Sequence, residues 1–291
     1  MCRIAAFPPG TTQEEARKIA THLVGTNLDG VGSGYLKDGE FHINKMPVSM
    51  PEADKAGLPI FSHMPHDGWT IFHTRFGTHG DKTMENTHPF SIGDYCFAHN
   101  GVWSESEVCR FALLGFVEFK GETDSEVAGY FFNKYGPDDF YKIVKRGGVF
   151  LGLHRSGELH IVKTFGDLNI ATVDPAAKIA PGVKCYIASD LTDVDDKTIG
   201  SVMDSDGGVI KLAADGTLME APQLSEVYRY KSYQGQGLFL GGCSTDSCQT
   251  QRSSYKSYKD DSKSEKKSGS NVNVWLLDPD NYLVNMVGAM D

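Results

Sequence analysis

The order in which strand-like and helix-like segments follow one another constrains this chain most. Short apolar runs bounded by Gly, Asn and Asp come first, helical patterns occupy the middle, and short strands then return. Gly34-Tyr35-Leu36 and Glu40-Phe41-His42-Ile43 flank Lys37-Asp38-Gly39, a spacing that predicts a hairpin. Residues 69–73 and 95–99 predict two more strands, the second stopped by Asn100-Gly101. Three capping signatures then mark helix starts: Thr12 with Glu15, Ser104 with Glu107, and Thr123 with Glu126. The helices run through 14–24, 108–115 and 127–135, with a short further helix over 140–145. Strands are expected again at 149–154, 159–163, 185–188, 209–212 and 217–219. Strands, helices, strands predicts an α+β layered domain. A doubly wound parallel sheet would need the two element types to alternate.

Composition divides the chain into a globular part, 1–230, and a segment, 231–291, that reads as a flexible tail. Residues 244–270 are mostly Ser, Lys, Asp, Thr and Gln, too little apolar surface to offset the entropy of ordering. Apolar residues return in a short C-terminal segment with Trp275, Leu276, Leu277, Tyr282, Leu283 and Val284. The net charge of -10 repels phosphate backbones, so no nucleic-acid partner is expected. No apolar run approaches the roughly 18–20 residues of a membrane span. The first 15 residues lack the basic and long apolar regions of a secretory signal. A cytoplasmic protein without a membrane partner is expected. The cysteines at 2, 96, 109, 185, 243 and 248 form no disulfide framework. Cys243 and Cys248 have no second ligand pair, and the histidines lack metal-binding spacing, so no metal and no cofactor are expected.

Chemistry enters at the N-terminus. Removing Met1 would leave Cys2 with a thiol and an α-amine on one residue. An α-amine titrates near pH 8, close enough to neutrality to take the thiol proton and return it to a leaving amine. Asn100-Gly101 follows an apolar strand, where a side-chain amide and a backbone N–H can share one oxyanion. Arg75, in HTRFGTHG, can hold a carboxylate bidentately. Asp124, in ETDSE, can hold an ammonium. Taken singly, each has a structural reading. Many chains begin Met-Cys by chance, and Asn-Gly is foremost a hairpin turn. Arg75 reads as a solvated loop residue, NTHPF (86–90) as a rigid loop, and Asp124 as a carboxylate favoured by a helix dipole. Together they describe a site for an α-amino acid whose side-chain carbonyl is attacked, and glutamine fits.

The segments MCRIAAF, NLDGVGSGYLKDG, HTRFGTHG, NTHPF, FAHNGVW and ETDSE, with a later YIASD, resemble class II glutamine amidotransferase domains of the N-terminal-nucleophile hydrolase superfamily, over roughly residues 2–200. Several of these segments are most similar to stand-alone members, including those acting on γ-glutamyl compounds. The resemblance implies a four-layer αββα sandwich. It implies Cys2 as nucleophile, Asn100 and Gly101 as oxyanion hole, and Arg75 and Asp124 as glutamine binders. Thr78 and His88 would be supporting pocket residues. Residues 31–34, Val-Gly-Ser-Gly, depart from the aromatic or Ala-Gly-Ile pattern of many relatives and leave the pocket wall open. Multidomain relatives append a sugar isomerase, a phosphoribosyltransferase or a synthetase ATPase. About 90 residues remain here, without a P-loop or Rossmann motif. The expected activity is therefore hydrolysis of the glutamine side-chain amide through a Cys2 thioester. It gives glutamate, and ammonia for a separate synthetase or transferase subunit. The same site fits a γ-glutamyl amide or peptide hydrolase. A third reading is an inactive scaffold that keeps Met1.

Overall fold

The computed structural model describes residues 1–227 apart from 26, 59, 196 and 197, so the expected tail at 231–291 lies outside the described residues. Among the described residues, fourteen strands and four helices follow in the order β1 (Arg3–Phe7), α1 (Gln13–Val24), β2 (Gly30–Lys37), β3 (Glu40–Met46), α2 (Met50–Lys55), β4 (Thr70–Arg75), β5 (Phe90–Ile92) and β6 (Tyr95–Asn100). Then come α3 (Ser106–Leu113), α4 (Asp124–Ile143), β7 (Val149–His154), β8 (Leu159–Lys163), β9 (Asn169–Thr172), β10 (Cys185–Ala188), β11 (Val202–Ser205), β12 (Gly208–Leu212), β13 (Leu218–Glu220) and β14 (Leu224–Glu226). They form an eight-stranded sheet, β14-β11-β9-β10-β1-β4-β2-β3, and a six-stranded sheet, β13-β12-β8-β7-β6-β5.

Side-chain alternation along β1 shows how the layers stack. Ile4 and Ala6 enter a core between the sheets with Ile71, Ala98, Leu151, Ile161 and Ile187. Ala5 and Phe7 point the other way, into a second core with Ile19, Leu23, Met50 and Phe72. Helix α1 covers that outer face with Ala16, Ile19, Ala20 and Leu23, the spacing of one helical stripe. On the far side, α4 packs its aromatics on the six-stranded sheet, Phe132 against Tyr95 and Phe97, and Phe140 against Phe150. The result is α+β in four layers, αββα. No helix among the described residues is long and apolar enough to cross a membrane.

Local chemistry explains most element boundaries. Thr12 and Glu15 close a reciprocal capping box on α1. Asp38 and Gly39 both take positive φ (53° and 79°) at the β2–β3 turn, as expected for that hairpin. Helix α4 is broken at Gly136 (φ 70°, ψ 172°) ahead of Pro137, which separates the expected helix from its short successor. Other expectations fail. Helix α3 begins at Ser106 with no side-chain cap, because the Ser104 hydroxyl donates to Glu105 Oε2 (2.9 Å) instead. Asn100-Gly101 is no hairpin turn, since β6 pairs with β7, which lies beyond α3 and α4. Helix α2, with its own box from Ser49 and Glu52, was not anticipated.

The Val-Gly-Ser-Gly stretch has a packing reason. A Cβ on Gly32 would overlap the His88 carbonyl, and one on Gly34 would overlap Cys96 Sγ. These glycines let β2 lie against the 88–90 segment and the second sheet. Gly34→Ala should therefore cost about 1–3 kcal/mol, read as a lower urea midpoint with an unchanged m-value.

Two histidines, His73 and His88, are buried where the sheets face each other, and a third, His99, is buried on the α4 side of β6. His73 Nε2 bonds the His99 carbonyl (3.1 Å) and joins β4 to β6 across the sandwich. His88 stacks on His73 with ring centroids 3.9 Å apart. Burial, the largest cause, holds all three imidazoles neutral: His73 falls to about 3, His88 well below its ordinary range, and His99 lower despite Asp124 and the Gly147 carbonyl. The unfolded chain protonates these groups near pH 6.5, while the fold does not. Above that pH they add no pH dependence; below it the unfolded state binds more protons and stability falls as pH drops towards about 3. Urea titrations between pH 7 and 4 should show a loss of up to about 1.4 kcal/mol per pH unit for each of His73 and His88.

Candidate active site

The β1 register brings the candidate residues together. Arg3 pairs with Thr74, so Cys2 comes opposite Arg75 at the end of β4. Cys2 is half-buried, and its Sγ lies against the Phe76 backbone, 3.4 Å from the N–H that donates to it. Burial pushes the Cys2 thiol up; the Phe76 N–H, the α-amine and Arg75 pull it back, and Asp124 pushes it up again. The thiol thus stands in the field of both expected clamps. Met1 is exposed, and Asn27 Nδ2 fastens its carbonyl (3.1 Å) while also reaching Thr74 O (3.2 Å).

Arg75 is buried and held by three backbone carbonyls: Asp81 (3.0 Å) from Nη1, and His79 (2.6 Å) and Gly80 (2.8 Å) from Nη2. Three of its five N–H groups are thereby committed to the 79–81 loop. No anionic side chain neutralises the guanidinium in these bonds, so its charge stays available. Asp124 mirrors this at the first turn of α4. It accepts from the N–H of Trp103 (2.7 Å) and of Ser125 (2.9 Å), and His99 Nδ1 lies 4.0 Å away. Because His99 is held neutral, it makes no ion pair with this carboxylate at the helix N-terminus. A cleft of about 110 Å³ opens beside Asp124, lined by residues that include His79, Val102, Trp103, Arg110 and Glu122.

Asn100 ends β6, and its Nδ2 lies 3.3 Å from Ser189 Oγ. Gly101 takes φ 156° and presses on Gly147, where a Cβ would overlap the carbonyl. Thr78 is exposed on the loop after β4, with its hydroxyl 3.4 Å from His79 Nδ1. His88 is buried between His73 and Phe90, and it does not line the cleft. Among the described residues, no group of three or more His, Cys, Asp or Glu side chains is arranged to hold a metal ion.

Sequence reasoning missed the residues that hold the clamps. Asn86, buried, donates to Asp81 O (3.1 Å) and accepts from Glu122 N (2.8 Å). It therefore ties the loop that grips Arg75 to the segment that leads into Asp124. The sole signal was the NTHPF segment, which read equally well as a rigid loop. Glu126 was expected in a capping box with Thr123. Only half of that box forms: Thr123 accepts from Glu126 N, while the Glu126 carboxylate takes the N–H groups of Lys120 and Gly121 (2.8 Å each).

No family model matches the chain. Among curated proteins, the glutamine–fructose-6-phosphate aminotransferase (isomerizing) of Streptococcus pyogenes serotype M6 is 35% identical over 77 residues, 26% of this chain and 13% of that protein. A probable enzyme of the same name from Acanthamoeba polyphaga mimivirus is 29% identical over 139 residues, 44% of this chain and 22% of that one. Among solved structures, the glutamine phosphoribosylpyrophosphate amidotransferase from B. subtilis superposes with a TM-score of 0.54 at 16% identity, over 80% of this chain and 50% of that one. A structure described as the allosteric regulatory enzyme of purine biosynthesis gives 0.58 at 15% identity, over 78% and 49%. The chain carries the class II glutamine amidotransferase fold. It spans half or less of each of these relatives.

Within that fold, the field around Cys2 can be measured. Alkylation by iodoacetamide, followed at the Cys2 peptide by mass spectrometry, should titrate above the ordinary thiol midpoint of about 8.5. Asp124→Asn removes a charge that raises the thiol and should move the midpoint down. Arg75→Met removes one that lowers it and should move the midpoint up.

Proposed function

We propose that this chain is a glutaminase of the amidotransferase type, with Cys2 as nucleophile once Met1 is removed. The observation that carries this reading is the position of the Cys2 thiol: opposite Arg75 in the β1–β4 register, and in the field of Asp124. Arg75 receives the α-carboxylate of glutamine and Asp124 its α-ammonium. Thr78 lines the entrance from the loop, and His88 backs the pocket through His73.

The resting thiol is protonated because burial raises it, so attack needs a base. The freed α-amine of Cys2 takes the proton, and the sulfur attacks the side-chain carbonyl. The oxyanion is met by the Asn100 amide and the Gly101 N–H. The amine then gives its proton to the leaving nitrogen, which departs as ammonia and leaves a γ-glutamyl thioester. Water, deprotonated by the same amine, hydrolyses the thioester to glutamate and restores the thiol. The ammonia passes to a separate synthetase or transferase subunit. Relatives named as aminotransferases and amidotransferases support that fate of the nitrogen.

The Met-trimmed protein should release glutamate from glutamine. Cys2→Ala should abolish this, and Asn100→Ala should lower kcat by about 10²–10³ with little change in KM. Retained turnover in Cys2→Ala sinks the proposal. Faster turnover of γ-glutamyl peptides than of glutamine reassigns the same chemistry to a γ-glutamyl amide hydrolase.

A further inference from the structure

Ser189 follows β10 and is buried. Strand β10 lies beside β1, with Ala188 opposite Ala5. One residue further, Ser189 grips Ile4 twice: its N–H donates to the Ile4 carbonyl (2.9 Å), and its Oγ accepts from the Ile4 N–H (2.9 Å). A regular ladder would satisfy the Ile4 N–H with a backbone carbonyl; here a hydroxyl does so. That hydroxyl also lies 3.3 Å from Asn100 Nδ2. One oxygen thus joins the strand carrying Cys2, in the first sheet, to the Asn100 side chain at the end of a strand in the second.

The chemistry of the two groups gives the contact its consequence. A hydroxyl has two lone pairs and one proton, enough to accept from Ile4 and Asn100 together. A carboxamide has two N–H bonds fixed in one plane about 120° apart. Pinning one of them fixes the direction of the other. The amide oxygen of Asn100 is buried with no partner among the described residues, so Ser189 is what orients this side chain. An oxyanion donor must be aimed before the charge develops, and a misplacement of about 1 Å can cost about 10²-fold.

We propose that Ser189 is a positioning residue that aims the Asn100 amide at the carbonyl attacked by Cys2. This rests on the proposed role of Asn100 as oxyanion donor. Ser189 touches no reacting atom; it acts through Asn100.

The test uses Met-trimmed protein. Ser189→Ala should lower kcat by about 10- to 100-fold with KM within about twofold. Ser189→Thr, which keeps the hydroxyl, should restore most of the rate. The double variant with Asn100→Ala should be no slower than Asn100→Ala alone, whereas a merely structural role would make the losses multiply. A second readout needs no turnover. The Asn100 side-chain NH2 pair, identified in NMR by its loss in Asn100→Ala, should exchange slowly with water in the parent and faster in Ser189→Ala. Ser189→Cys, close in size but a weaker hydrogen-bonding partner, gives the same two readouts should Ser189→Ala not fold. An unchanged kcat, multiplying losses, or an unchanged Asn100 amide signal each overturn the proposal. A parent protein that turns over neither glutamine nor γ-glutamyl amides instead overturns the proposed function, while the NMR comparison still decides whether Ser189 orients Asn100.

Discussion

The pairing of β1 between β4 and β10 is the constraint on which the site depends. A five-residue strand carries Ile4 and Ala6 into one core and Ala5 and Phe7 into the other. A slip of one residue would exchange the two sets between cores of different shape, and a slip of two would draw Cys2 away from Arg75. The hydrophobic effect on both faces therefore locates a thiol that lies just outside the strand. Ser189 and Asn27 fasten the same end by hydrogen bonds.

The charges at the site are held by dipoles. Arg75 rests on three carbonyls, and Asp124 on two N–H groups at a helix start. A direct ion pair between them would satisfy both and leave nothing for a ligand. Asn86 braces the two loops from within, and His99, held neutral, makes no ion pair with Asp124. Fixed dipoles of this kind need no reorganisation when a charged ligand arrives. The same interior holds three imidazoles at their neutral limit, so the arrangement that keeps the site charged also makes the fold sensitive to acid.

Several sequence expectations fail for reasons of packing. Ser104 has the spacing of a cap, but its hydroxyl turns to Glu105 and the helix starts two residues later. Asn100-Gly101 has the composition of a hairpin, yet β6 finds its partner beyond two helices. For Asn100-Gly101 the local pattern was outweighed by pairing with a segment distant in sequence.

The sequence by itself determined the element order, most strand and helix positions, and the chemical inventory of thiol, guanidinium, carboxylate and amide. These are legible because period, capping and turn chemistry act over a few residues, and because reactive groups are read directly from residue type. The tertiary structure alone decided that Cys2, Arg75, Asp124 and Asn100 meet at one end of the sandwich. It also decided that Asn86, Ser189 and Asn27 hold them there. Such residues carry no local signal that separates them from ordinary loop residues. Their amides and hydroxyls gain meaning from buried partners up to 185 positions away, and only the folded chain sets those distances.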